Sequence, residues 1–255
     1  MSFHFITIDQ LSEADMDLFD TILVVGGDGT VNKVLPYLVN TTKTLGIIPC
    51  GTANLLASKL GINGISKALK VIDKENVKKI DVMTVNGNLS VLRCGIGYDA
   101  DIIGKTPQSL KNKFGYFAYF VAGIIFALRL KQKEYQMTCN QETVSISATC
   151  IIAANTPNMY KNWISVSKAS QLDDGYMEIF VLKTINPFLL LAEIFKMFLR
   201  IQKTSKNALY LKTDKLILVN NTFHAHIDGE KRYLKNSINI EVIPQAVNVI
   251  TGNIY

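Results

Sequence analysis

Two textures of apolar and polar residues follow one another along the chain. Up to about residue 83, short apolar runs alternate with stretches whose apolar residues recur at helical spacing. FHFITI (3–8), TILVV (21–25) and LGIIP (45–49) read as strands. Ser12 reads as the N-cap of a helix over 13–19. Further helices are expected over 30–40, over 53–60 with Thr52 as cap and Gly61 as stop, and over 65–74. Such alternation predicts a mostly parallel sheet. From about residue 84 the runs become short and β-rich: YQMTC, TVSISATCIIAAN, YMEIFVLK, KLILVN, FHAHIDG and INIEVI, with Asn, Asp and Gly between them. That texture predicts antiparallel sheet. The fold class is therefore α/β in two domains, an α/β domain over 1–83 and a β-rich domain over 84–245. No Pro/Ser-rich linker separates them, so they are expected to pack around a cleft.

Two oily stretches stand apart, FGYFAYFVAGIIFALRL (114–130) and INPFLLLAEIFKMFLRI (185–201). Roughly 17–25 residues are needed to cross a bilayer. Glu193 and Lys196 interrupt the second. Both read as buried or interface-facing helices, with contact to a membrane surface open for each; the first has no charge before Arg129, so a membrane span stays open there as the second reading. At 48% hydrophobic and 19% charged residues, the 255-residue chain is that of a folded protein. Its net charge of +6 fits an anionic ligand or an anionic membrane surface. It carries no basic block of the kind that marks a nucleic-acid tail. Cys50, Cys94, Cys139 and Cys150 form no C-x-x-C pair and read as buried thiols. The start, MSFHFITIDQLSEAD, lacks the pattern of a secretory signal, so a cytoplasmic setting is expected.

The chemistry concentrates in two turns. Gly26-Gly27-Asp28-Gly29-Thr30 follows an apolar strand and opens a helix. GIIPCGTANLLASKLG (46–61) repeats the plan. Glycines let backbone amides approach a ligand, and a helix N-terminus favours an anion. In a parallel sheet both turns lie at the carboxyl ends of strands, on one rim. Two anion cradles there suit a di- or triphosphate, although a strand–Gly–helix turn also arises as plain geometry. Asp28 inside a phosphate turn is repulsive unless a cation such as Mg²⁺ lies between. The spacing matches neither a P-loop nor a dinucleotide fingerprint.

GGDGTVNKV together with PCGTANLLA resembles the diacylglycerol kinase catalytic family, the bacterial lipid kinases related to sphingosine kinase. The resemblance continues through CGIGYDADII (94–103), KASQLDDGYMEIFVL (168–182) and HIDGE (226–230), in order and over almost the whole chain. It implies an NAD-kinase-like nucleotide domain, a β-sandwich-like second domain with the active site between them, and a last strand near 246–255 that returns to the first domain. It implies an ATP- and Mg²⁺-dependent kinase that phosphorylates a lipid hydroxyl, diacylglycerol above all, at the inner face of the membrane. By the same resemblance Gly26, Gly27, Asp28, Gly29, Thr30, Val31 and Asn32, with Gly51, Thr52 and Asn54, serve ATP. Asp81 belongs to the water and metal network near the phosphates. Gln171, Asp174 and Tyr176 hold a structural Mg²⁺, and Asp228 and Glu230 supply the catalytic base, with Asp28 beside them. Read without the family, DDG is an ordinary hairpin turn and DGE a turn with exposed acids. His224 and His226 share one strand face, a metal pair or a simple sheet face. By the resemblance, Asp99 and Asp101 match a family segment at the interdomain cleft.

Departures from the family pattern shape a second expectation. Lys33 and Leu55 stand where many relatives carry Glu and Asp. The usual opening strand, turn and helix are absent or reduced to FHFITI. That start implies an exposed sheet edge, weak ATP binding and self-association as a homodimer. The alternative reading is a catalytically silent relative that binds nucleotide or membrane. NAD kinase shares GGDGT but not PCGTANLLA.

Overall fold

A computed structural model of the chain describes residues 4–106, 122–123, 125, 127, 130–156, 158–159, 164–166 and 171–252. The helix expected over 114–130 therefore falls mostly outside the described residues. So does Lys168-Ala169-Ser170 of the family segment.

The first half begins with helix α1 (Glu13–Asp17), which Ser12 caps through a reciprocal box with Asp15. Strand β1 (Thr21–Gly26) leads into α2 (Asp28–Val34), and a single 3₁₀ turn, Leu35–Tyr37, follows. The helix expected over 30–40 is thus cut short, because Pro36 has no amide to continue the ladder. Next come β2 (Thr44–Pro49), α3 (Leu55–Lys59) and α4 (Ile65–Ile72). Helix α3 starts at Asn54, held at φ +52, and not at Thr52. FHFITI is not a strand: residues 4–7 are irregular, and Phe5 is 84% exposed. Among the described residues no strand pairs with residues 4–7, and alternation alone does not make a strand.

The second half is built from β3 (Val77–Val85), β4 (Asn88–Ser90), β5 (Arg93–Gly97), α5 (Tyr98–Lys105), β6 (Lys133–Cys139), β7 (Glu142–Ala148) and β8 (Cys150–Ala154). After the short pair β9 (Asn158–Met159) and β10 (Ile164–Ser165) come β11 (Met177–Leu182) and helix α6 (Pro187–Phe198). The chain closes with β12 (Ala208–Thr213), β13 (Lys215–Ile227) and β14 (Glu230–Ile250). Among the described residues twelve strands share one sheet, its main path running β1-β2-β14-β13-β5-β8-β11-β12. Among the described residues, parallel pairing is confined to β1 with β2 and β2 with β14, and the other strand pairs are antiparallel.

Strand β14 joins the two halves. Its first part pairs with β13, and its end, Asn248 and Val249, lies parallel to Thr44 and Leu45 of β2. Val247, Val249 and Ile250 thereby enter the apolar core built on Val24, Leu35, Leu45, Leu56 and Ile80. Burying an aliphatic side chain of this size stabilises by about 1.5–3 kcal/mol. A second core gathers Ile96, Met137, Ile151, Phe223 and Ile240. A third lies under α6, with Ile152, Phe180, Leu190 and Met197. Strand β14 is irregular between Ile243 and Val247, where Gln245 sits at φ +49. The amide freed there is taken by buried Asp81, at 2.7 Å.

Candidate active site

The two glycine turns end adjacent parallel strands, with Gly26 opposite Pro49 in the register. They touch. A Cβ on Gly51 would stand 2.5 Å from the Gly27 Cα, and one on Gly27 would stand 3.0 Å from the Gly51 Cα. Only two glycines allow backbones this close. Asn54 fastens the second turn by accepting from the Gly51 amide at 2.9 Å and donating to the Gly51 carbonyl at 2.7 Å.

Asp28 answers the problem its position posed. Its carboxylate accepts from the amides of Leu55 at 3.0 Å and Leu56 at 3.1 Å, the first two residues of α3. The fold thus gives the carboxylate two donor partners that the sequence did not show. Helix termini leave amides without partners, and Asp28 supplies an acceptor across the gap between the turns. Burial raises its pKa, opposed by those two amides and reinforced by the nearby Asp228 carboxylate. Leu55 takes part through its backbone.

The DGE segment turns tightly between β13 and β14. Asp228 at φ +47 and Gly229 at φ +93 give an Asp-Gly hairpin turn, with Ile227 paired to Glu230. Its two acids have different surroundings. Asp228 folds back and accepts from Ser90 Oγ at 2.7 Å and from the amides of Val91 (2.9 Å), Leu92 (3.1 Å) and Arg93 (2.7 Å). Asn32 Nδ2 on α2 donates to it at 2.8 Å, which ties the glycine-turn helix to the acid turn. Asn32 Oδ1 is buried without a hydrogen-bond partner. Glu230 is 58% exposed and meets Arg232 at 2.9 Å. The reading of two exposed acids therefore holds for Glu230 and fails for Asp228.

The histidines separate as well. His224 is exposed and meets Tyr233 edge-on, with ring centroids 5.3 Å apart. His226 is fully buried, with Nε2 2.7 Å from Asp99 Oδ2, while Arg93 Nη2 lies 3.5 Å from Asp99 Oδ1. Gly95 lies beneath this group, and a Cβ there would collide with both Asp99 and His226. The sequence reading missed the group as a unit. The alternation of His224 and His226 was visible, but the partner stands 127 residues away. Burial acts to raise the Asp99 pKa, yet Arg93 and His226 outweigh it and hold the group at about 2. A carboxylate depressed in the folded state stabilises above its unfolded pKa and loses that contribution as the pH falls toward the folded value. Acid titration of wild type and Asp99→Asn is therefore expected to show a stability difference on the order of 2 kcal/mol above about pH 4 that shrinks toward pH 2. Chemical denaturation at each pH measures it, and a difference independent of pH over that range would contradict it.

The residues expected to hold a structural Mg²⁺ form a different arrangement. Asp174 Oδ2 lies 2.7 Å from Lys212 Nζ, and its Oδ1 accepts from the Tyr176 amide at 3.1 Å. Lys212 also sits 5.4 Å from the centre of the Tyr176 ring. Asp81 is occupied by the amides of Gly175 and Gln245, both at 2.7 Å, and is raised in pKa by burial. Gln171 is exposed. Among the described residues no cluster of His, Cys, Asp and Glu is placed to hold a metal. A lysine ammonium stands on the carboxylate that a hard cation would need, so the turn as it stands does not fit such an ion. The melting temperature is expected to stay constant on adding Mg²⁺ without nucleotide. Asp174→Ala should cost about 1 kcal/mol or less, because Lys212 is half exposed. A clear Mg²⁺-induced rise in wild type that the variant lacks would contradict this.

Cys50 is exposed, unlike the other three cysteines, which corrects the reading of four buried thiols. Among the described residues no helix is long and apolar enough to cross a membrane.

Comparison with known proteins adds a second line of evidence. The family model for the diacylglycerol kinase catalytic domain matches residues 7–85, and that for the YegS C-terminal NAD kinase β-sandwich-like domain matches 93–251. An uncharacterized protein of Synechocystis is 34% identical over 174 residues, which are 68% of this chain and 40% of that protein. The diacylglycerol kinase of Bacillus subtilis is 29% identical over 227 residues, 86% of this chain and 73% of the relative. The crystal structure of a diacylglycerol kinase from Bacillus anthracis superposes with a TM-score of 0.70 at 22% identity, covering 94% of this chain and 79% of the other. An NAD kinase from Archaeoglobus fulgidus in complex with ATP gives 0.53 at 15% identity, covering 96% and 82%.

Proposed function

The chain belongs to the diacylglycerol kinase catalytic family, and from that premise we propose that it transfers the γ-phosphoryl group of ATP to the hydroxyl of a lipid, with a diacylglycerol-like molecule as substrate. The observation that carries the reading is the bond between Asn32 and Asp228. It sets the acid turn beside the helix that opens from the first glycine turn. In this reading the phosphates lie on the rim formed by Gly26 to Asn32 and Gly51 to Asn54, and Glu230 faces the incoming hydroxyl.

Phosphoryl transfer asks the protein chiefly for alignment and charge stabilisation. The lipid oxygen attacks the γ-phosphorus, the bond to the β-phosphate oxygen breaks, and ADP leaves. The lipid proton passes to a carboxylate. Five donors occupy Asp228, so it is the positioning acid. Glu230 is the exposed one and can reach a substrate, so it is the base. Mg²⁺ bound to the nucleotide would supply charge neutralisation at the phosphates. Asp28 holds α3 against the first turn and so keeps the two glycine turns in register.

The test is transfer of labelled γ-phosphate from ATP to a panel containing diacylglycerol, a sphingoid base, a prenol, phosphatidylglycerol and, outside the lipids, NAD. Label in a hydroxyl lipid supports the reading. Label in NAD alone, or in nothing while the protein stays folded and nucleotide-bound, contradicts it.

A further inference from the structure

Helix α6 presents an apolar face to solvent. Leu190, Glu193 and Met197 are buried against the third core, while Phe188, Phe195 and Phe198 are 79%, 61% and 54% exposed. Spacings of seven and three residues put the three rings on one side of the helix. Ile185 before the helix and Leu199 after it are also exposed, extending the face at both ends. Soluble chains seldom expose so many large apolar groups on one element without a partner for them.

Along the segment that carries this face the exposed charges have one sign. Residues 185–206 contain Lys196, Arg200, Lys203 and Lys206 and a single acid, Glu193. Glu193 is turned inward and bonded to Lys196 at 2.8 Å. Arg200, Lys203 and Lys206 are exposed, just beyond the helix end. A second copy docking the same face by two-fold symmetry would bring like charges together. An anionic surface would not. Twelve residues make a helix of about 18 Å, well short of the roughly 30 Å hydrocarbon core, so α6 can lie on a bilayer and not through it.

We propose that α6 is a membrane-docking element, which lays Phe188, Phe195 and Phe198 into the surface of an anionic lipid bilayer while Arg200, Lys203 and Lys206 meet its headgroups. Its purpose, delivery of the site to an insoluble substrate, rests on the lipid-kinase reading; the surface itself does not.

Sedimentation with vesicles of phosphatidylcholine, with and without phosphatidylglycerol, tests it on the full chain. The wild type is expected to pellet with the anionic vesicles and to be released by high salt. Phe188→Ser with Phe195→Ser should weaken partitioning by about tenfold or more, with an unchanged melting temperature, since both rings already face water. Lys203→Glu with Lys206→Glu should weaken binding to the anionic vesicles. Wild type that ignores anionic vesicles overturns the proposal. So does a phenylalanine variant that partitions like wild type, or one whose sole effect is to turn a dimer into a monomer in lipid-free solution. Transfer to a short-chain, water-soluble diacylglycerol separates the two readings. Its retention in the phenylalanine variant supports docking as a step distinct from chemistry. Vesicle binding without transfer to any lipid leaves the docking surface standing and removes the lipid-kinase reading.

Discussion

Asp228→Ala is expected to lower the stability of the protein by about 3 kcal/mol or more and to remove activity with it. The substitution leaves the amides of Val91, Leu92 and Arg93, the Ser90 hydroxyl and the Asn32 amide without their acceptor. An unsatisfied buried donor costs about 1–3 kcal/mol, and these lie together in a part-buried site where water satisfies only some of them. Asn32 would also lose its hold on the acid turn, so α2 would no longer be tied to the 228–230 turn through this side chain. Urea titration measures the loss. Asp228→Asn is a milder control, because its carbonyl keeps some of the bonds while its amide opposes others. A midpoint within experimental error of wild type for Asp228→Ala would contradict the positioning role.

Glu230→Gln is expected to behave in the opposite way. The side chain is exposed and its ion pair with Arg232 is at the surface, so stability should change by no more than about 0.5 kcal/mol. Transfer should fall about 100- to 10,000-fold in kcat, the range in which positioned proton transfer contributes, with KM for ATP little changed. The two variants together decide which acid is the base. A Glu230→Gln enzyme with wild-type kcat would assign the proton elsewhere, and Asp228 would have to be reconsidered despite its five donors.

Much of the frame was legible in the chain. The apolar runs before Gly26 and Cys50 marked two strands, and Ser12 and Gly61 marked helix boundaries through local chemistry that does not depend on distant residues. The Asp-Gly pair at 228–229 signalled a turn for the same reason. What local pattern could not show was partnership across the sequence. FHFITI alternates like a strand, but alternation says nothing about whether a neighbour is present to pair with it. The amides of Leu55 and Leu56 that meet Asp28 come within reach only when α3 folds against the first turn. Asp174 looked available because Lys212 approaches it from a strand 38 residues later. Asp228 and Glu230 are two residues apart and were indistinguishable as letters. Only the fold places one among the amides of 91–93 and leaves the other in solvent.

The central claim is that the two glycine turns and the acid turn form a single nucleotide site. The most direct measurement is a crystal structure of the chain with Mg²⁺ and a non-hydrolysable ATP analogue. The account predicts phosphates against Gly26 to Thr30 and Gly51 to Asn54, with the γ-phosphate the one nearest Glu230. A nucleotide bound elsewhere, or one whose γ-phosphate points away from the 228–230 turn, would contradict it.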